Sequence, residues 1–263
     1  MRIIAITGAT GGLAKEIVKQ LPSDDFVIAL GRNVKKLEAC YVERPNTVCY
    51  ELDMSSDEAI GAMVEKLYAE HGYIDVFINN AGYGDFSEFD AYTTAEIRDM
   101  FDINTFATMT FSRLVGHRMK KAGYGHIVNI ASIAGLIASA KSSVYSATKF
   151  AVIGFSNALR LELADSNVYV TTINPGPIAT SFFDKADPSG EYLKSVGRFV
   201  LQPEEVARRT VAILGKNKRE VNMPWSIAAA HKFYTLFPKI ADFLARKVFN
   251  YNNLLSILHR SEK

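Results

Sequence analysis

Six short apolar runs, alternating with segments of helical periodicity, constrain this chain more than any other feature. The runs are Arg2–Thr7 (RIIAIT), Phe26–Leu30, Thr47–Leu52, Ile74–Ile78, His126–Ile130 and Val168–Ile173. Their length, β-branched content and flanking turn residues read as buried strands. Helical patterns run to Leu21 and over 34–41, 57–70, 94–121 and 143–164, with a break expected near Asp102–Thr105. Pro203–Leu214 reads as a further helix with proline in its first turn, and a short last strand is expected near 219–223. Such alternation folds through right-handed crossovers into a parallel sheet with helices on both faces. No internal repeat or long linker interrupts it before residue 178, so 1–222 reads as one α/β domain.

Composition removes several function classes. A chain of 263 residues, 48% of them hydrophobic, can build a sizeable core. A net charge of +2, with acids and bases interspersed, leaves no basic nucleic-acid footprint. Cys40 and Cys49 lack clustered cysteine or histidine partners, so neither a disulfide framework nor a metal site is expected. No run reaches about 18 apolar residues, and the expectation is a soluble, cytoplasmic protein.

The first strand leads into TGATGGLA at 7–14 and then a helix. Glycines permit close approach, and free N–H groups at a helix start bind an anion such as a pyrophosphate. An ordinary strand-to-helix turn is the plainer alternative. The spacing is neither GxGxxG nor a phosphate loop, because GK[ST] is absent. Arg32 follows the second strand where an acid would bind the ribose of NAD; an arginine suits the 2′-phosphate of NADP. Asp53, ending the third strand, can meet the adenine amino group or serve its own turn.

Tyr145 and Lys149, four residues apart in YSATK, lie on one face if 143–164 is helical. A phenol beside an ammonium is a proton donor and acceptor. Taken singly, these residues have plainer readings. Ser132 reads as a strand-end cap, Tyr145 with Lys149 as a part-buried aromatic beside a lysine stem, and Asn104 as a local kink.

Taken together, TGATGGLA at 7–14, NNAG at 79–82, Asn104 in FDINTF, Ser132 in NIASIAG, YSATK at 145–149 and NPGPIAT at 174–180 carry a likeness. Their order and spacing resemble the short-chain dehydrogenase/reductase family in its compact subtype, over about residues 2–222. The resemblance implies a single-domain Rossmann fold, a doubly wound parallel sheet flanked by helices on both faces. Residues 223–263 would then form a helical C-terminal extension, packed on that domain or on a partner subunit. It implies hydride transfer between a nicotinamide cofactor and a carbonyl or alcohol, with Asn104, Ser132, Tyr145 and Lys149 as the catalytic tetrad. Tyr145 would exchange the proton, its pKa lowered by the Lys149 cation and the positive nicotinamide of the oxidised cofactor. Ser132 would polarise the carbonyl, Lys149 would hold the ribose hydroxyls, and Asn104 would steady backbone and water.

By the same resemblance, Gly8, Thr10, Gly11, Gly12, Leu13, Arg32, Asp53, Asn80, Ala81, Gly82, Tyr145, Lys149, Pro175, Gly176, Ile178 and Thr180 would bind the cofactor. NADP(H) is expected ahead of NAD(H), on Arg32. The chain departs from the family pattern at Ala14, where glycine is usual, and it lacks a basic residue inside the glycine motif.

Phe86, Leu136, Ile137, Phe182, Phe183, Tyr192 and Leu193 are candidate pocket residues, which points to a hydrophobic ketone, aldehyde or secondary alcohol. Reduction of a 3-oxoacyl thioester and a non-enzymatic NADP-sensing scaffold are the alternatives. The resemblance also implies a homodimer or homotetramer through 94–121 and 143–164, where Phe101, Phe106, Met109 and Phe111 lie. The stretch from Met223 to Asn250 is aromatic, amphipathic and basic, with Pro238 dividing two helical segments. It suits a lid, a subunit contact or, as a minor reading, a patch resting on a membrane.

Overall fold

The computed structural model describes residues 1–188, 190, 197 and 200–248. Its strands are β1 (Ile3–Thr7), β2 (Phe26–Gly31), β3 (Thr47–Glu51), β4 (Val76–Asn79), β5 (Gly125–Ile130), β6 (Val168–Pro175) and β7 (Glu220–Met223). All pair in parallel in one seven-stranded sheet, order β3-β2-β1-β4-β5-β6-β7. The crossovers carry α1 (Gly12–Gln20), α2 (Val34–Tyr41), α3 (Asp57–His71), α4 (Thr94–Phe101), α5 (Ala107–Ala122) and α6 (Ser143–Glu162). Beyond β6 come α7 (Phe183–Ala186), α8 (Pro203–Val211), α9 (Trp225–Leu236) and α10 (Pro238–Val248). The chain runs outward from β1 to β3, then returns to β4 on the other side of β1. That reversal opens a crevice at the carboxyl ends of β1 and β4. The doubly wound Rossmann architecture is thus as the sequence predicts.

Side-chain alternation divides the core. Ile4 and Ile6 of β1 join Ile17 and Val18 of α1 and Val206 of α8 on one face. Ala5 joins Phe77, Phe111 and Val115 on the other. Phe77 and Phe111 are almost wholly buried, their ring centroids 4.9 Å apart. Burial of each such ring contributes about 1.5–3 kcal/mol. Phe111 therefore belongs to the core, whereas Phe106 stands exposed.

Polar groups fix the ends of elements. The Ser56 hydroxyl accepts from the Ala59 N–H at 3.1 Å and starts α3. Thr93 and Glu96 form a reciprocal capping box on α4. A buried polar network pins α5 and α6 to the sheet: Asn79 donates to Ser112 at 3.1 Å and to Asn129 at 2.8 Å, and Asn129 donates to Ser156 at 2.8 Å. β6 runs past the expected Ile173 to Pro175 because it pairs with β7 as far as Met223. The predicted helix to Leu214 stops at Val211 and passes through turns to Gly215. The expected break in 94–121 is a π-helical turn at Asp102–Phe106.

α9 packs beside β7, and the His231 Nδ1–H donates to the Leu136 carbonyl at 3.0 Å. Among the described residues no helix is long and apolar enough to cross a membrane.

Candidate active site

The carboxyl ends of β1, β4, β5 and β6 converge on a cleft of about 290 Å³. One wall is the turn after β1. Gly8 has φ +63°, and a Cβ there would lie 2.8 Å from the Ala81 Cα, so only glycine fits. The Thr7 hydroxyl accepts from the N–H groups of Asn80 and Ala81, both at 3.0 Å. The Asn80 amide donates back to the Thr7 carbonyl at 3.0 Å. These bonds lock the turns after β1 and β4 together across the switch point. α1 opens at Gly12 with no side-chain cap, which leaves first-turn N–H groups for an anion. An opening free of side chains beside uncapped donors fits a dinucleotide pyrophosphate.

Gly11, Gly12, Leu13, Asn80 and Gly82 also line the cleft; half-buried Thr10 does not. Ala14 is wholly buried against the core with Ile17, so the departure from the glycine pattern lies on the core side of the helix. Arg32 and Asp53 are exposed at the ends of β2 and β3, beyond the cleft itself. The Ser55 N–H at 3.0 Å and hydroxyl at 2.8 Å hold the Asp53 carboxyl below its ordinary pKa, with Arg32 adding to the effect.

The facing wall carries Ser132, Tyr145 and Lys149, all buried. Ser132 ends the loop after β5, and its hydroxyl accepts from the Ala134 N–H at 3.1 Å. α6 presents Tyr145 and Lys149 one turn apart, with the Lys149 ammonium 5.7 Å from the Tyr145 ring centroid. That ammonium donates to the Ile130 carbonyl at 3.1 Å. Asn104 lies behind the cleft rather than in its lining. The π turn aims it inward, where it accepts from the Tyr83 N–H at 2.9 Å and donates to the Tyr83 carbonyl at 2.8 Å and to Thr148 at 3.1 Å.

Burial pushes the Tyr145 hydroxyl up to about 12, against a smaller lowering by its hydrogen bond with Ser132. Burial brings Lys149 down to about 8. In the free chain desolvation of the phenolate outweighs the lowering by Ser132, whereas the lowering expected from the sequence belongs to the enzyme with oxidised cofactor bound.

An aromatic roof covers Tyr145. Phe86 and Phe182 lie at 5.6 and 5.9 Å from it, and Phe183 stacks on Phe86 at 5.9 Å. Leu136 and Ile137, expected here, instead pack with Val152 and Ile153 in a separate cluster. Tyr192 and Leu193 lie outside the described residues. Pro175, Gly176, Ile178 and Thr180 close the cleft after β6, and the Thr180 side chain lies 2.9 Å from where a Cβ on Gly12 would sit.

A family model described as short chain dehydrogenase matches residues 2–190. The chain belongs to the short-chain dehydrogenase family. As a member it is a nicotinamide-dependent oxidoreductase acting on carbonyl or alcohol substrates. It is similar to 3-ketodihydrosphingosine reductase of Bacteroides thetaiotaomicron, 32% identical over 87% of this chain and 81% of that one. It is also similar to retinol dehydrogenase 8 of Homo sapiens, 32% identical over 70% of this chain and 61% of that one. Among solved structures it resembles the closed form of serine dehydrogenase complexed with NADP+, with a TM-score of 0.77 and 32% identity, covering 84% of this chain and 94% of that chain.

Within this short-chain dehydrogenase, several residues in or behind the cleft lie in segments the sequence marks without being singled out there. Thr7 and Thr148 stand inside TGATGGLA and YSATK, and their part as buried links is recognisable only once their hydrogen bonds are seen. Tyr83, Ser181 and Lys185 line the cleft from loops or a short helix without a periodic signature. Ser181 and Lys185 flank the Phe182–Phe183 pair, whose aromatic content was the available signal.

Proposed function

We propose that this short-chain dehydrogenase reduces an apolar ketone or aldehyde with NADPH. The observation that carries the reading is Tyr145, on one buried wall with Ser132 and Lys149 and beneath the roof of Phe86, Phe182 and Phe183. When bound, the cofactor supplies the hydride. The chain's own residues do the rest. Ser132 orients and polarises the carbonyl oxygen. Tyr145 delivers its proton to that oxygen. The Lys149 cation stabilises the phenolate left behind and holds the nicotinamide ribose. Asn104 positions the loop at Tyr83 and, through Thr148, the first turn of α6. The aromatic roof excludes water and selects apolar substituents.

Arg32 supports NADP over NAD, because a guanidinium after β2 pairs with a 2′-phosphate. The solved relative bound to NADP+ is consistent with that choice. The curated relatives named for 3-ketodihydrosphingosine and retinol favour an apolar substrate. Asp53, the 79–82 turn and the loop at 175–180 contact the adenosine and carboxamide ends of the cofactor in this reading. Residues 1–222 act as the catalytic unit and 223–263 as an extension of it. Exposed Phe106, in the π turn before α5, and exposed Phe150 and Leu161 of α6 support a homo-oligomer through this side of the molecule.

The test is turnover of matched apolar and charged ketones with NADPH or NADH, in the wild type and in Arg32→Ala. Faster reduction of apolar ketones with NADPH is expected, with Arg32→Ala raising KM for NADPH roughly tenfold or more, from loss of about 1.5–3 kcal/mol in a charged hydrogen bond. Equal losses for both cofactors would remove the 2′-phosphate contact, and preference for charged ketones would remove the apolar assignment.

A further inference from the structure

The C-terminal helix pair α9–α10 presents apolar side chains that stay exposed among the described residues. Phe233, Leu236, Phe237, Ile240 and Leu244 recur at helical spacing and are exposed, while Ala241 turns inward and is buried. Trp225, at the start of α9, is 76% exposed. Monomeric proteins rarely leave so contiguous an apolar surface uncovered. The segment 225–248 carries Lys232, Lys239, Arg246 and Lys247 against Asp242 as its one acid. Lys232 and Lys239 are exposed beside Phe233 and Ile240.

This charge pattern decides between occupants. A second copy docked on the same patch by two-fold symmetry would set a cationic segment against itself, which costs energy. A surface bearing anionic lipid complements it, since basic residues beside buried apolar and aromatic side chains attract and hold such a surface. Over the described residues neither helix is long and apolar enough to cross a bilayer, and the geometry that suits them is that of a face lying in the headgroup region. We infer that α9 and α10 dock this enzyme on anionic membrane surfaces, Trp225, Phe233, Phe237 and Ile240 entering the acyl boundary with Lys232 and Lys239 at its rim. The His231 bond to Leu136 ties the docked hairpin to the loop between Ser132 and Tyr145. A membrane-borne apolar substrate would therefore meet the enzyme near its cleft. The docking itself does not depend on the cofactor or substrate assigned above.

Trp225 is the single tryptophan of the chain and reports directly on the hairpin. The full-length protein is mixed with vesicles of phosphatidylcholine alone, or of phosphatidylcholine with phosphatidylserine, and followed by tryptophan emission and co-sedimentation. A blue shift and pelleting are expected with the phosphatidylserine vesicles, weakened by salt. Lys232→Gln and Lys239→Gln should each weaken partitioning roughly fivefold. The double variant Phe237→Glu with Ile240→Glu should abolish binding while keeping its circular dichroism and its turnover of a soluble ketone. Absence of shift and pelleting with both vesicle types overturns the inference, as it would if residues 249–263 covered the face. A glutamate variant that converts a dimer to a monomer in sedimentation equilibrium also overturns it, and assigns the face to a second copy.

Discussion

Tyr145 sits where two influences compete, burial and its neighbour Ser132, and burial is the stronger. A phenol held near 12 stays protonated throughout the neutral range, so reduction draws on a ready acid. Lys149, near 8, loses its cation first as pH rises. The profile of kcat/KM for reduction, which reports the free enzyme, should be level below about pH 8 and fall above it as Lys149 deprotonates. A profile already falling on the acid side of neutrality would contradict this. Tyr145→Phe should lower kcat by about 10²–10⁴ while cofactor affinity, measured by fluorescence titration, stays within about threefold. At this scale the sequence was most legible where chemistry sits in short motifs: Ser132, Tyr145 and Lys149 share a wall of the cleft, as YSATK and its upstream serine suggest. Protonation was not legible, because desolvation depends on the Phe86, Phe182 and Phe183 roof, assembled from segments about a hundred residues apart in the chain.

Elements were legible where periodicity is strong and turns are marked, and less so at their ends. The π turn at Asp102–Phe106 could be anticipated as a break but not as the device that turns Asn104 toward Tyr83. The sixth strand outgrew its apolar run because its last residues find partners on β7, a pairing distant in sequence. β5 brings a consequence that no motif announced. Buried His126 accepts from the Gly215 N–H at 3.0 Å through Nδ1, so its Nε2–H faces Thr171 at 2.8 Å. Burial lowers its pKa from 6.5 to about 4, and the folded state keeps it neutral. Because the folded pKa lies below the unfolded one, the folded state keeps its full stability above about pH 6.5 and loses it as pH falls toward 4. The loss attributable to this side chain should reach about 3 kcal/mol. Urea midpoints across that range should show it, and His126→Gln should flatten the slope while lowering stability overall.

At the scale of the molecule, one sheet carries both the nucleotide turn and the proton-transfer wall, so ligand binding and folding are linked. At a hundredfold excess over Kd, a cofactor that binds only the folded chain adds about 2.7 kcal/mol. For a chain of this size that raises Tm by roughly 5–10 °C. NADPH should produce the larger shift at equal concentration with NADH, as differential scanning fluorimetry would show; equal shifts would remove the assigned preference. The parallel sheet with helices on both faces followed from strand–helix alternation, and its doubly wound order from the likeness of the motifs to a family. The exposure of the C-terminal hairpin did not, since an amphipathic sequence does not say whether protein covers its apolar side. The contact between Gly12 and Thr180 carries a consequence for redesign. The turn that would grip the pyrophosphate and the loop that would orient the nicotinamide lie so close that even a methyl group at 12 would press on the Thr180 side chain, 2.9 Å away. Neither can be re-engineered alone: any side chain introduced at 12 is transmitted to 180, and the two positions form one exchangeable cassette, to be varied together in any library meant to change cofactor.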